Sequence, residues 1–476
     1  MKKRNAKKQK RQEKSKRFSA RASLIAIGQF AKRWKLFDII GQKVLIAQKV
    51  VKYTPIEKLT DAFISILAGA KGLYEVNKRV RPDQLLQLAF GRTACAEQST
   101  ISETLNAVTA DNVQQMNDSV SSIYQQYSRG YRHPYHQRFQ LLDVDMSGMP
   151  CGKKAKLASK GYFANQKNRR GRQLGRVCAS HYQEVVTSKL YFVLTQLNRA
   201  FQPLVVAAEG VLGLDEAQRK RTILRTDAGG GRDEDINWLL SRQYLFITKA
   251  YSAKRAEKVL KSVHTWHPDK KVKGREAGLV LSPHAYVLPT LQIGVRSHKK
   301  NGQWSYHLLV TNLSLEPFQQ LYYLPAMWRH CPEPILWFAL GSYDLRGGGC
   351  ETAFKADKAE TPPSGRGFCL IKQGLGITKR NKKQFEAQQM LVLLADLAHN
   401  LCIWVKTVLV SQCRRFAPVG ILSLVRDVFT ISGQVVLDAK GHIKQILLNQ
   451  RDPFAEDFQQ AIQPFLNGIT VNLGKI

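Results

Sequence analysis

RFQLLDVDMSG, residues 138–148, reads as a β-strand that carries two carboxylates on one face. Phe139, Leu141, Leu142, Val144 and Met146 supply the apolar run, and strand alternation puts Asp143 and Asp145 on the same side. An acid inside such a strand is costly unless it is paired, hydrogen-bonded or bound to a metal. The strand is expected to end at Asp145. The aspartates therefore ask for a partner elsewhere in the chain.

Two further stretches answer. In TILRTDAGGGRDEDINWLL, residues 222–240, Asp227 ends a short strand, three glycines follow and a helix starts near Asp233. Asp233 and Asp235 there suit the positive end of that helix. In YDLRGGGCETAFKADK, residues 343–358, Tyr343, Arg346, Glu351 and Lys358 come in order, and Glu351 opens what reads as a helix. Glu351 and Lys358 are two turns apart and share a face, a carboxylate for a metal and an ammonium for phosphate. Two strand-end aspartates and a later helical glutamate form the ligand set of a two-metal phosphoryl-transfer site. Asp145 lies nearer the strand end than Asp143, which stays open as the alternative first ligand. Oxygen ligands without thiolates favour Mg2+, with Mn2+ as substitute.

With these residues the chain resembles the DDE transposases of bacterial insertion sequences, in the group with a Tyr-Arg-Glu-Lys signature. That pattern is Tyr, two residues, Arg, three residues, Glu, six residues, Lys. It is matched at Tyr343, Arg346, Glu351 and Lys358, except that four residues, Gly347 to Cys350, separate Arg346 from Glu351. Ser147, two residues after Asp145, fits a spacing common in the family. The resemblance runs roughly from Leu59 to Leu466. It implies an RNase H-like catalytic domain with Asp145, Asp227 and Glu351 as catalytic metal ligands. It further implies Lys358 and Arg346 on phosphates, and Tyr343 packed on a DNA end or supporting the metal site. The activity implied is cleavage at the ends of an insertion sequence and joining of the 3′ ends to target DNA, by a homodimer on paired ends. An inactive or repurposed DNA-binding protein and a nuclease of the same fold without strand transfer are the alternatives.

Charge points to the same partner. The 476 residues carry a formal net charge of +37, a surface that binds polyanions, and double-stranded DNA is the partner expected. The eight cysteines show no paired metal spacing and read as reduced thiols, for a cytoplasmic, nucleoid-associated bacterial protein. The apolar stretch from Met390 carries Asp396, His399, Asn400 and Lys406, so a buried helix is expected and no membrane span. The basic start lacks the apolar core of a signal peptide.

The expected fold is α/β, an RNase H-like mixed sheet interrupted by a mostly β insertion. A helical N-terminal DNA-binding region precedes it and a C-terminal α/β extension follows. Residues 1–22 read as a basic disordered tail and 23–132 as the helical region, with a helix pair starting at Pro82, a stop at Gly91 and a capping box from Thr100 to Glu103. Gln98, Ser99 and Ser102 would suit a recognition helix. Residues 133–250 and 341–415 are the two parts of the core, 251–340 the insertion, and 416–476 a hairpin and helix. Between the first strands, Lys160, Lys167, Arg169, Arg170 and Arg172 are dense enough to follow a phosphate backbone, with Tyr162 and Phe163 available to stack on bases.

Overall fold

The computed structural model describes residues 16–50, 52–163, 166–299, 301–328, 333–348, 350, 353 and 375–476. Glu351, Lys358 and the Pro362–Pro363 break lie outside these. The chain is mixed α/β and forms two compact units. The first comprises residues 1–128, 151–157 and 355–476, the second residues 129–150 and 158–354.

The first strand, β1 (Lys16–Ser19), belongs to the first unit and lies inside the span read as a tail. The second unit is built on one ten-stranded sheet. Its strands are β2 (Gln140–Pro150), β3 (Ser159–Phe163), β4 (Gln166–Ala179), β5 (Glu184–Phe192), β6 (Thr222–Thr226) and β7 (Leu245–Lys249). After these come β8 (His267–Pro268), β9 (Arg275–Leu279), β10 (Leu291–His298) and β11 (Trp304–Thr311). The chain runs from β2 outward through antiparallel β4 and β5, then crosses by the helix Leu197–Leu212 to parallel β6 and β7 on the other side. The order reverses between β2 and β6, and ligands of open α/β sheets gather at the carboxyl ends of strands at such a switch point.

Strand β2 does not stop at Asp145. Its ladder with β6 ends at Val144 and Thr226, but its ladder with β4 continues from Asp145↔Arg176 to Pro150↔Gly171. The cause is local to β6, where Asp227 caps a 3-10 turn at Ala228–Gly230 and takes the chain out of the sheet. Asp145 therefore sits where one neighbour has left.

The inserted strands extend this sheet. β11 pairs antiparallel with β7, matching Leu309 to Lys249 and Thr311 to Ile247, and β10, β9 and β8 follow outward. Without β11, β7 would present an unpaired edge. Even-numbered residues of β2 face the helix Leu197–Leu212. Phe139, Leu141, Ile223, Ile247 and Leu309 line the opposite face, packed with Trp337 and Tyr343 of the helix Pro334–Asp344.

In the first unit, β1 pairs with β12 (Gly433–Leu437), which forms the expected hairpin with β13 (Ile443–Asn449). After the helix Ala455–Ile462, a strand not anticipated, β14 (Thr470–Gly474), returns parallel to β13. The helix Gln84–Ala89 takes its cap from Asp83, whose Oδ1 accepts the Leu86 N–H at 2.9 Å, and Gly91 has a φ of +77°. The next helix runs from Gln98 to Asn106, so Thr100 lies within it and donates to the Glu97 carbonyl at 2.9 Å; the Thr100 capping box does not form. The 28-residue helix Phe385–Gln412 is, among the described residues, long and apolar enough to cross a membrane, and 83% of its apolar window is buried inside the protein. It groups with the first unit, where Trp404 meets Trp34 and Tyr127 at ring separations of 6.0 Å.

Candidate active site

Parallel register assembles the site. Val144 is level with Thr226, and Arg225 with Ile247. One residue beyond the first pair, and two beyond Ile247, Asp145, Asp227 and Lys249 form a row where the β2–β6 ladder ends and at the carboxyl ends of β6 and β7. Adjacent strands lie about 4.8 Å apart, and the Asp227 charge acts on the Asp145 carboxyl across that spacing.

Register also separates Asp143 from Asp145. Asp143 is level with Arg225 and is buried. The guanidinium takes both its oxygens, Nε to Oδ1 at 2.6 Å and Nη2 to Oδ2 at 2.8 Å, and Ser180 Oγ donates to Oδ2 at 2.6 Å. Arg225 Nη1 goes on to the Ser342 carbonyl at 2.6 Å, fixing the end of the helix that carries Tyr343. Asp145 is half-buried and accepts the Met146 N–H at 2.8 Å. Burial first, and the charge of Asp227 second, push its carboxyl up to about 7, with Arg346 opposing. Of the two aspartates on this face, Asp145 is the one next to a second carboxylate.

Asp227 is held by the glycines after it. Its Oδ1 accepts the Gly229 N–H at 2.7 Å, and its carbonyl accepts Thr248 Oγ1 at 2.8 Å. At Gly231 an added Cβ would fall 1.7 Å from the Lys249 carbonyl. The third glycine thus permits the close approach that sets Asp227 beside the end of β7.

Above the row lie Tyr343 and Arg346. Tyr343 is buried, and burial raises its hydroxyl pKa, as do the charges of Asp227 and Asp145. Arg346 Cζ and Lys249 Nζ lie 5.1 and 5.2 Å from its ring centre. Arg346 Nη1 is buried and has no hydrogen-bond partner among the described residues. Burial works against its charge, but Tyr343, Asp145 and Asp227 outweigh it and hold its pKa above the ordinary value. Burial, then Arg346, lowers the pKa of Lys249.

Cys350 is buried, and its Sγ donates to the Asp143 carbonyl at 2.9 Å. Burial, then Cys178, raises its thiol pKa, which keeps it neutral. The residue before Glu351 is thereby anchored on the strand that carries Asp145.

Other expected contacts scatter. Lys160 and Arg169 are exposed on the β3–β4 hairpin, while Arg170 is half-buried and donates to the Ala158 carbonyl at 2.5 Å. Arg172 is buried at 1% exposure, because alternation on β4 turns it inward, away from a surface ligand. Phe163 is also buried, packed over Gly148 and Gly171, so it offers no stacking face. The side chains of Lys167 and Tyr162 lie outside the described residues, as do Glu351 and Lys358. Ser102 accepts Lys382 Nζ at 2.5 Å, which occupies one polar position of the helix read as a recognition helix. Among the described residues no group of three His, Cys, Asp or Glu comes together; Asp145 and Asp227 supply two carboxylates.

The sequence reading missed Lys249 and Arg225. The signal for Arg225 was present: R-T-D at 225–227 has the same spacing as D-V-D at 143–145, and aligning the parallel strands sets Arg225 opposite Asp143.

No protein-family model and no curated protein sequence matches the chain. Among solved structures, a piggyBac transposase synaptic complex with hairpin DNA is similar at a TM-score of 0.42 and 12% identity, over 83% of this chain and 80% of that one, a likeness too slight to bear on fold or function.

Proposed function

We propose that the chain is a DDE transposase, with an RNase H-like core, that cleaves DNA at the ends of an insertion sequence and joins the 3′ ends to target DNA. The observation that carries the reading is the adjacent pair Asp145 and Asp227 at the switch point of the sheet, with Asp143 withdrawn into an ion pair. The sheet order β5-β4-β2-β6-β7, three antiparallel strands continued by two parallel ones, supports the RNase H-like assignment. The anchoring of Cys350 beside β2 supports Glu351 as the third carboxylate.

The donor set fits hard divalent cations. Side-by-side carboxylates repel, and the charge of Asp227 adds to burial in raising the pKa of Asp145. The neutral thiol of Cys350 adds no soft ligand. Bound at Asp145, Asp227 and Glu351, Mg2+ or Mn2+ would supply Lewis-acid stabilisation of a phosphodiester and a more acidic attacking hydroxyl.

The chain's own cations do the rest. Arg346 Nη1, which has no hydrogen-bond partner among the described residues, would donate to a non-bridging phosphate oxygen, charge-assisted and geometrically fixed by the Tyr343 ring. Lys249 would offset the second phosphate charge, and Lys358 is carried by the resemblance. Water attack at phosphorus breaks the P–O3′ bond and releases a 3′-hydroxyl, and that hydroxyl then attacks a phosphodiester of the target, displacing the target's own 3′-hydroxyl as the new bond forms. DNA bearing both element ends with flanking sequence tests this. Wild type should cut it in Mg2+, and Glu351→Gln should bind it without cutting. Equal cutting by both would remove Glu351 from the reaction, and no cutting by wild type would leave a DNA-binding protein.

A further inference from the structure

The inserted segment carries a cationic feature that shares no lining residue with the row of Asp145, Asp227 and Lys249. The helix Ala253–Leu260 follows β7, and the loop Ser282–Ala285 faces it across a groove of about 830 Å³. Lys254, Lys258 and Lys261, spaced by four and three residues, fall on one helical stripe, and all three are exposed. None has an ion-pair partner among the described residues, although Glu257 lies on the same helix. The stripe is about 10 Å long, the rise of about three base steps at 3.4 Å each.

The two walls of the groove are tied together through Asp233. It pairs with Arg255 from the helix and, at 3.2 Å, with His284 from the loop. The loop is further held by Ser262 Oγ, which accepts the Ser282 N–H at 3.1 Å, and by Gln292, which accepts the His284 N–H at 2.9 Å and donates to its carbonyl at 2.6 Å. Walls tied in this way, with unpaired lysines on the rim, differ from a solvated lysine face: the cations are presented in a row.

We propose that this groove binds the phosphate backbone of double-stranded DNA through Lys254, Lys258 and Lys261, residues that take no part in the candidate catalytic row. The inference rests on the DNA-processing reading for its ligand but not for its chemistry, since it needs no metal and no cleavage. Such a contact carries no base information; it adds affinity that falls steeply with salt.

The test is equilibrium binding of the full chain to a fluorescent duplex of about 40 base pairs, from about 50 to 200 mM potassium chloride. Replacing the three lysines by glutamine should make the slope of log affinity against log salt shallower by about 2 to 3, at about 0.9 for each phosphate no longer neutralised. The same charge loss at exposed Lys440, Lys444 and Lys475 is the control and should change it less. An equal change in both variants, or none in the groove variant, overturns the proposal. If the intact chain fails to bind the duplex at all, the groove and the DNA-processing reading fall together. Binding that depends on the groove, in a chain that never cuts, would keep the groove and overturn only the catalytic reading.

Discussion

Asp143 and Asp145 share a strand face two residues apart, and register gives them different work. Asp143 faces Arg225 and is neutralised by it; Asp145 faces a strand that has ended and meets Asp227 instead. Breaking a buried pair by removing one member leaves a charge stranded. Arg225→Met should therefore lower stability by about 3–5 kcal/mol, read by urea unfolding, and a loss under 1 kcal/mol would contradict the assigned pairing. Asp145 yields a pH prediction of the opposite kind. Its folded pKa of about 7 exceeds the unfolded value, so the stability it lends is full below about pH 4 and is lost as pH rises through 7. A divalent cation that requires the ionised form should restore more stability at pH 8 than at pH 5.5, measured as a shift in Tm. Asp145→Asn should abolish that difference. Both aspartates were legible in the sequence as a same-face pair. Which one was free was not, because the answer lies in the alignment with a strand some eighty residues away.

At the scale of elements, the ends of β6 and β7 are set by the run of glycines between them. A Cβ at Gly231 has no room against the Lys249 carbonyl, so Gly231→Ala must displace one strand end. A cost of about 1–3 kcal/mol is expected, with a larger proportional loss of DNA cleavage than of stability. Lys249→Met tests the row itself: cleavage should fall at least tenfold while Tm changes little, because the ammonium makes no ion pair among the described residues. The period-two and helical patterns placed most of these elements well, from β2 and β7 to the helix near Asp233. They failed where position depends on context. The Thr100 motif has the composition of a capping box, but the chain enters its helix at Gln98, two residues earlier. The inserted strands alternate as expected, yet nothing local in them says that β11 continues the sheet from β7.

For the whole molecule, a net charge of +37 makes non-specific affinity for polyanions the default, and the fold decides how much of that charge is structural. The basic N-terminal stretch shows the division. Residues before Lys16 add charge, whereas Lys16–Ser19 pairs with Val436–Gly433 as β1 of the four-stranded sheet. Removing residues 1–15 should weaken DNA binding at low salt and leave Tm unchanged; removing residues 1–21 should also lower Tm by several degrees. Equal Tm values for the two truncations would show that β1 contributes nothing to the sheet. The central claim, that the Asp145 carboxylate holds a divalent cation during strand cleavage, is tested most directly by a change of metal preference. Asp145→Cys should cut element-end DNA at least a hundredfold more slowly than wild type in Mg2+ and recover part of that loss in Mn2+, which accepts sulfur more readily. Wild-type rates for Asp145→Cys in Mg2+ would contradict the account.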